Sequence, residues 1–200
     1  MDVEPVGANG FVLRGVRWAT YVELDRARGV DNASPRLSYL DGVLEVMVTS
    51  PEHELRKTLL RRFLEAYAEV AEIALNGFGS MTFQDRAKEA GLEPDECYFI
   101  GKASPREEPA DLAIEIDWSR SSVNKLEIYR RLGVLEVWLW ENDQIEVYRL
   151  WGGEYRRRPR SVCMRELDLH DLARRVVATD PSKQTETVRA YRKWLQRRDC

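Results

Sequence analysis

Apolar residues at Leu55, Leu59, Phe63, Ala66, Tyr67 and Val70 recur at the 3.6-residue spacing of a single helical face. Ser50-Pro51-Glu52 supplies an N-cap, a first-turn proline and a first-turn acid, so the longest helix is expected from there to about Ala74. Thr20-Tyr21-Val22-Glu23 has the capping-box form and predicts a short helix through Arg28, stopped by Gly29. Two strand-like runs, Arg36–Leu40 and Val43–Val48, flank Asp41-Gly42, a dipeptide suited to a two-residue hairpin turn. Further strands are expected near Phe78–Phe83, over Glu96–Ile100, Asp111–Ile116 and Glu136–Trp140, and from Gln144 to Arg149. A helix over Val123–Leu132, capped by Ser119 to Ser122 and stopped at Gly133, separates the last three. Asp180-Pro181 opens a final helix with Val188, Tyr191 and Leu195 on one face. The order predicts a mixed α/β core built on one sheet.

The 200 residues are 44% hydrophobic, enough for a packed core, and no apolar run approaches a membrane span. The amino-terminal stretch has neither the basic start nor the apolar run of a secretory signal, so a cytoplasmic location is expected. Three scattered cysteines and two histidines argue against a disulfide framework and a His-rich metal site. Net charge is −3 but uneven. From Arg149 onward 14 Lys and Arg face 7 Asp and Glu, a balance of +7, against −10 for the first 148 residues. A basic tail suits a polyanion, and it equally suits a solvated surface. The run Arg156-Arg157-Arg158-Pro159-Arg160 reads as a solvated loop, with phosphate contact as the alternative.

Candidate chemistry lies in two strands and the following helix. Asp95 follows Pro94 at the start of one strand, and Glu115 sits near the end of the next. If the two are antiparallel neighbours, the carboxylates meet and can share a hard cation such as Mg²⁺, which takes one or two carboxylates and keeps several waters. On the second strand Asp111, Ala113 and Glu115 share one face, and Leu112, Ile114 and Ile116 share the other, the core face. Lys125 and Tyr129, four apart on a helix, point the same way. Bland readings stand beside these. Asp95 is also turn chemistry after proline, Glu115 a paired surface acid, Lys125 a surface lysine, His53 a capping or packing residue, and Tyr129 a core residue. Trp138 and Trp140 read as core, and Cys97 as a buried thiol.

Several separated stretches together carry a resemblance: Tyr39–Met47, His53, Pro94–Tyr98, Ala110–Ile116, and then Ser119, Lys125, Tyr129, Gly133, Val134, Glu136 and Trp138. From about residue 15 to about 175 the chain resembles the Uma-type family of restriction endonucleases, in the PD-(D/E)XK nuclease superfamily. The resemblance implies a restriction-endonuclease-like fold, with a mixed central sheet flanked by helices, an N-terminal hairpin and a C-terminal helix. It implies a domain over 1–175 with a helical extension over 176–200. It implies Mg²⁺- or Mn²⁺-dependent phosphodiester hydrolysis, with Asp95 and Glu115 as metal ligands and Lys125 and His53 as catalytic partners. Glu45, Asp111 and Tyr129 become supporting residues, Asp111 matching a second Pro-Asp in which Ala110 replaces the proline. The superfamily lysine belongs two residues after the second acid, where this chain has Asp117, so Lys125 on the next helix takes its place. The run Asp117 to Ser121 also departs from the family's Ser-Pro-Ser-Thr-like stretch. Nucleic acid, DNA rather than RNA, is the implied substrate, and two-strand cleavage calls for a homodimer. The alternative is an inactive nuclease fold that binds nucleic acid or serves as an accessory protein.

Overall fold

The computed structural model of the protein describes residues 2–6, 9–29, 34–101, 109–116 and 121–198. Among them the chain runs β1 (Val3–Val6), β2 (Gly10–Arg14), α1 (Trp18–Arg28), β3 (Arg36–Leu40), β4 (Val43–Met47) and α2 (Pro51–Val70). Then come β5 (Leu75–Gly79), β6 (Phe83–Asp85), β7 (Ala90–Leu92), β8 (Glu96–Ile100), β9 (Leu112–Ile116) and α3 (Lys125–Leu132). The chain closes with β10 (Glu136–Glu141), β11 (Gln144–Trp151), β12 (Glu154–Arg158), α4 (Leu169–Ala178) and α5 (Gln184–Arg198).

The expected mixed central sheet is present, in the order β12-β11-β10-β9-β8-β5. Its one parallel pair, β9 with β10, is joined across α3, the helical crossover such a pair requires. Beside it stands a second sheet not foreseen from the sequence, antiparallel throughout, in the order β1-β2-β4-β3-β7-β6. The predicted Phe78–Phe83 strand is the point where the chain changes sheets: β5 belongs to the central sheet and β6 to the other. Residues 93–95 make the return crossing between β7 and β8.

Local signals explain most boundaries. Asp41 and Gly42 both take positive φ, 46° and 83°, and close the β3–β4 hairpin as their residue types predict. Ser50 caps α2 by accepting the His53 N–H at 3.2 Å. Gly133 ends α3 in the left-handed conformation. The start of α1 falls two residues before Thr20, with Arg17 at the N-cap and no side-chain cap. Asn124, rather than Ser121 or Ser122, caps α3; Ser119 lies outside the described residues. The arginine run is not a loop: Arg156, Arg157 and Arg158 sit on β12, an edge strand with its arginines exposed.

Each face of the central sheet is buried. Leu112, Ile114, Ile116, Trp138 and Trp140 pack under α2, α4 and α5, against Phe63, Leu172 and Tyr191. Ala113, Val137 and Leu139 pack on Ile128 and Tyr129 of α3 and on Ala90 and Leu92 of β7. The acidic face of β9 is therefore not open, as its alternation suggested; α3 is wedged between the two sheets and covers it. Tyr21 of α1 stacks on Tyr39 beneath the outer sheet, ring centroids 5.1 Å apart. A Cβ at Gly91 would lie 2.5 Å from the Tyr21 hydroxyl oxygen. Gly91→Ala is accordingly expected to lower stability by about 1–3 kcal/mol through overpacking, read as a lower urea midpoint. An unchanged midpoint would mean that Tyr21 yields freely.

Candidate active site

The antiparallel register of β8 on β9 sets Glu96 opposite Ile114 and Cys97 opposite Ala113. Continued by one residue, it sets Asp95 opposite Glu115. The two carboxylates expected to meet thus arise on neighbouring strands, and both are nearly fully buried. Lys125 and Tyr129 come down from α3 onto Glu115, one on each oxygen. The Lys125 ammonium donates to Oε2 at 2.7 Å and the Tyr129 hydroxyl to Oε1 at 2.5 Å. This is the i, i+4 pair read from the sequence, and Tyr129 is both a core residue and a partner of the acid.

Asp95 is held from three sides. Its Oδ2 accepts the Ile116 N–H at 2.7 Å and meets His53 Nε2 at 3.0 Å; its Oδ1 lies 3.5 Å from a guanidinium nitrogen of Arg36. His53 reaches it because the Ser50 cap orients the first turn of α2 with that side chain inward. Burial works against charge on both partners, but their mutual attraction prevails. The His53 imidazole is held above its usual pKa and the Asp95 carboxyl below its own. For Glu115 burial prevails, raising its pKa despite Lys125. Lys125 is disfavoured by burial, yet the Glu115 and Asp95 charges lift its pKa above normal.

Glu45 comes from β4 of the outer sheet. It accepts the Ser121 hydroxyl at 2.9 Å and the Ser122 N–H at 2.5 Å, tying that sheet to the segment leading into α3. Asp111 stands apart, at the other end of β9, where its Oδ2 accepts the Ile100 N–H at 2.8 Å. It braces the strand pair and does not join the cluster. Cys97 is a buried free thiol. Asp117 lies outside the described residues.

Asp95, His53, Lys125 and Glu45 line one pocket of about 70 Å³. Arg36 and Glu93 line it too, and the sequence reading passed over both. Arg36 opens a strand, where an arginine looks like a surface residue; it faces inward because Leu37 and Tyr39, on the opposite face, are claimed by the core beneath α1. Glu93 sits in the crossing between the sheets. The Arg28 guanidinium holds it, one nitrogen donating to Oε2 at 2.7 Å and another to Oε1, and the Thr82 hydroxyl adds a third bond at 3.0 Å.

A family model described as "Putative restriction endonuclease", Uma2, matches residues 18–176. The chain belongs to the Uma2 family. The Uma2 match begins at the first residue of α1 and ends inside α4, so β1, β2 and α5 flank it while all seven predicted site residues fall within it. No curated protein matches the chain. Four solved chains do. One is the crystal structure of a "putative nuclease belonging to DUF820" from Anabaena variabilis ATCC 29413. It is 17% identical, covering 82% of this Uma2 chain and 98% of its own, with a TM-score of 0.49.

Proposed function

We propose that this pocket is the hydrolytic centre of a divalent-metal-dependent endonuclease that cuts DNA rather than RNA. The observation that carries the reading is Asp95 opposite Glu115 on adjacent strands, with Lys125 on Glu115. The donors suit a hard cation: Asp95 lines the pocket, and Glu115 stands opposite it on the next strand behind Lys125. That is the ligand economy of Mg²⁺ or Mn²⁺, which keeps waters for itself. Asp95 and Glu115 would hold the ion, which would supply an activated water and charge neutralisation at the phosphate. Lys125, as an ammonium beside Glu115, orients the attacking water or a phosphate oxygen. His53 fixes which oxygen of Asp95 stays turned inward, and Tyr129 does the same for Glu115. Glu45 holds the segment before α3 in place, and with it Lys125. Asp111 keeps β8 and β9 in register. Cutting both strands of a duplex calls for two copies, so the active species is proposed to be a homodimer. The family's description supports a nuclease and, through restriction, a DNA substrate.

A specific observation favours a second reading. Both oxygens of Glu115 and one of Asp95 are already hydrogen-bonded within the protein, as in a nuclease fold that only binds nucleic acid. Calorimetric titration with Mn²⁺, paired with plasmid cleavage, separates the two. Metal binding and cleavage, both lost in Asp95→Ala/Glu115→Ala, support the nuclease. Full metal-dependent cleavage by the double variant would falsify it. Wild-type protein that neither binds the ion, even with a non-cleavable oligonucleotide present, nor cuts plasmid leaves the binding protein as the reading.

A further inference from the structure

Among the described residues lining the pocket, two side chains keep buried nitrogens without a hydrogen-bond partner, His53 at Nδ1 alone and Arg36 at two positions. Arg36 is 7% exposed. One terminal nitrogen, Nη1, donates to the Pro94 carbonyl at 2.7 Å and so pins the guanidinium plane to the crossing between the sheets. The Nε and Nη2 groups are buried and have no hydrogen-bond partner. Those two groups form one edge of the guanidinium, two parallel N–H donors in the spacing that accepts two oxygens of a single oxyanion. Asp95 Oδ1 is near, at 3.5 Å from Nη2, but makes no hydrogen bond to it. Nor is Arg36 needed to neutralise Glu93, since Arg28 already holds that carboxylate through two nitrogens.

We propose that Arg36 is a phosphate-binding residue of this site, its Nε/Nη2 edge receiving two non-bridging oxygens of a nucleotide phosphate. The inference rests on the nuclease reading above and names the group that grips the substrate. The geometry fits the task. Arg36 shares a pocket with Asp95, His53 and Lys125, so an oxyanion on its fork lies among the proposed reacting groups. At about 70 Å³ the pocket has space for several water-sized groups, and so for the oxygens of a phosphoryl group. The fork belongs to the outer sheet and the carboxylates to the central one, so substrate would be held from one sheet and attacked from the other. A buried cationic fork without an acceptor is costly in the free protein, and an oxyanion relieves that cost when it binds. Lysine cannot replace it: a single ammonium keeps the charge but not the paired donors.

The test uses the full chain, with thymidine 5′-monophosphate as the probe and thymidine as its phosphate-free control. Calorimetry is run on wild type, Arg36→Lys and Arg36→Gln, without metal and with Mn²⁺. Mn²⁺ titration and thermal midpoints are measured on the same samples. The expected result is phosphate-dependent binding by wild type, weakened at least tenfold in both variants, with Mn²⁺ affinity changed less than threefold. In cleavage, Arg36→Lys is then expected to raise KM more than it lowers kcat. Nucleotide affinity equal to wild type in Arg36→Lys overturns the proposal, and a loss confined to Mn²⁺ affinity or thermal midpoint assigns Arg36 to bracing Asp95. Absence of phosphate-dependent binding by wild type overturns it as well. Arg36-dependent nucleotide binding in a protein that neither binds Mn²⁺ nor cuts DNA would retain the phosphate site and remove the nuclease reading instead.

Discussion

Lys125→Met is expected to lower stability by about 3–5 kcal/mol, because it strips the counter-charge from a buried carboxylate while leaving the carboxylate in place. Glu115 is 1% exposed, and Lys125 is its only cationic hydrogen-bond partner among the described residues. The penalty has a pH signature. Burial already raises the Glu115 pKa, and without Lys125 only the Tyr129 hydrogen bond still restrains that rise. As the medium becomes acidic, Glu115 takes a proton and no longer needs a counter-charge, so the deficit shrinks. In the double variant Glu115→Gln/Lys125→Met both charges go, the Tyr129 hydroxyl keeps an oxygen to donate to, and most of the lost stability returns. Urea unfolding of wild type, Lys125→Met, Glu115→Gln and the double variant at neutral and acidic pH measures this cycle. Full stability in Lys125→Met would mean that the ion pair contributes nothing. Cleavage should not return with stability. Lys125→Met and the double variant are both expected to be slower by about 10²–10⁴-fold, the usual contribution of one positioned catalytic side chain.

Asp95→Asn gives the second large effect, about 1.5–3 kcal/mol, the scale of a hydrogen bond to a charged group. Its pH dependence follows from two opposed shifts in the metal-free protein. His53 has its pKa raised by folding, so its contribution is complete below the unfolded value of about 6.5 and fades as pH climbs through the higher folded value. Asp95 has its pKa lowered, so its contribution is complete above about 3.9 and fades as pH falls through the lower folded value. The gap between wild type and Asp95→Asn should therefore be widest from about pH 4 to pH 6.5 and narrow in alkali. The His53 ring protons, followed by NMR, should titrate at lower pH in the variant. A gap that widens steadily above pH 7 would contradict the pairing. Loss of Mn²⁺ binding in Asp95→Asn is expected as well.

The parts of the site legible in the sequence are those set by local periodicity. Alternation along β9 and the i, i+4 spacing of Lys125 and Tyr129 required no knowledge of the fold. The meeting of Asp95 and Glu115 needed one further assumption, that two consecutive strands pair antiparallel, and they do. His53 could be placed because Ser50-Pro51 defines where α2 begins. Residues whose meaning depends on sheet-to-sheet packing were not legible. Nothing near Arg36 says that the strand's other face will be taken by Tyr21 and Trp18 of α1. The outer sheet was missed because β6 and β7 have three residues each, too short for alternation to declare itself, and because β1 carries Pro5. Helix α4 had a readable signal. Leu169, Leu172, Ala173 and Val176 follow helical spacing behind the cap at Asp168.

Residues 93–95 carry the chain from one sheet to the other, and their hydrogen bonds have a mechanical meaning. The Pro94 carbonyl hangs on Arg36, Glu93 on Arg28 and Thr82, and Asp95 on the Ile116 N–H. Each sheet is internally rigid through its backbone ladders, but the relation between them rests on this strap, on Glu45 and on the wedge of α3. A slide of about an ångström between the layers would break no ladder, yet it would pull Arg36 and Glu45 away from Asp95 and Glu115 together. The two sheets then behave like the jaws of a vice, and the strap, Glu45 and α3 together set how firmly the pocket is closed.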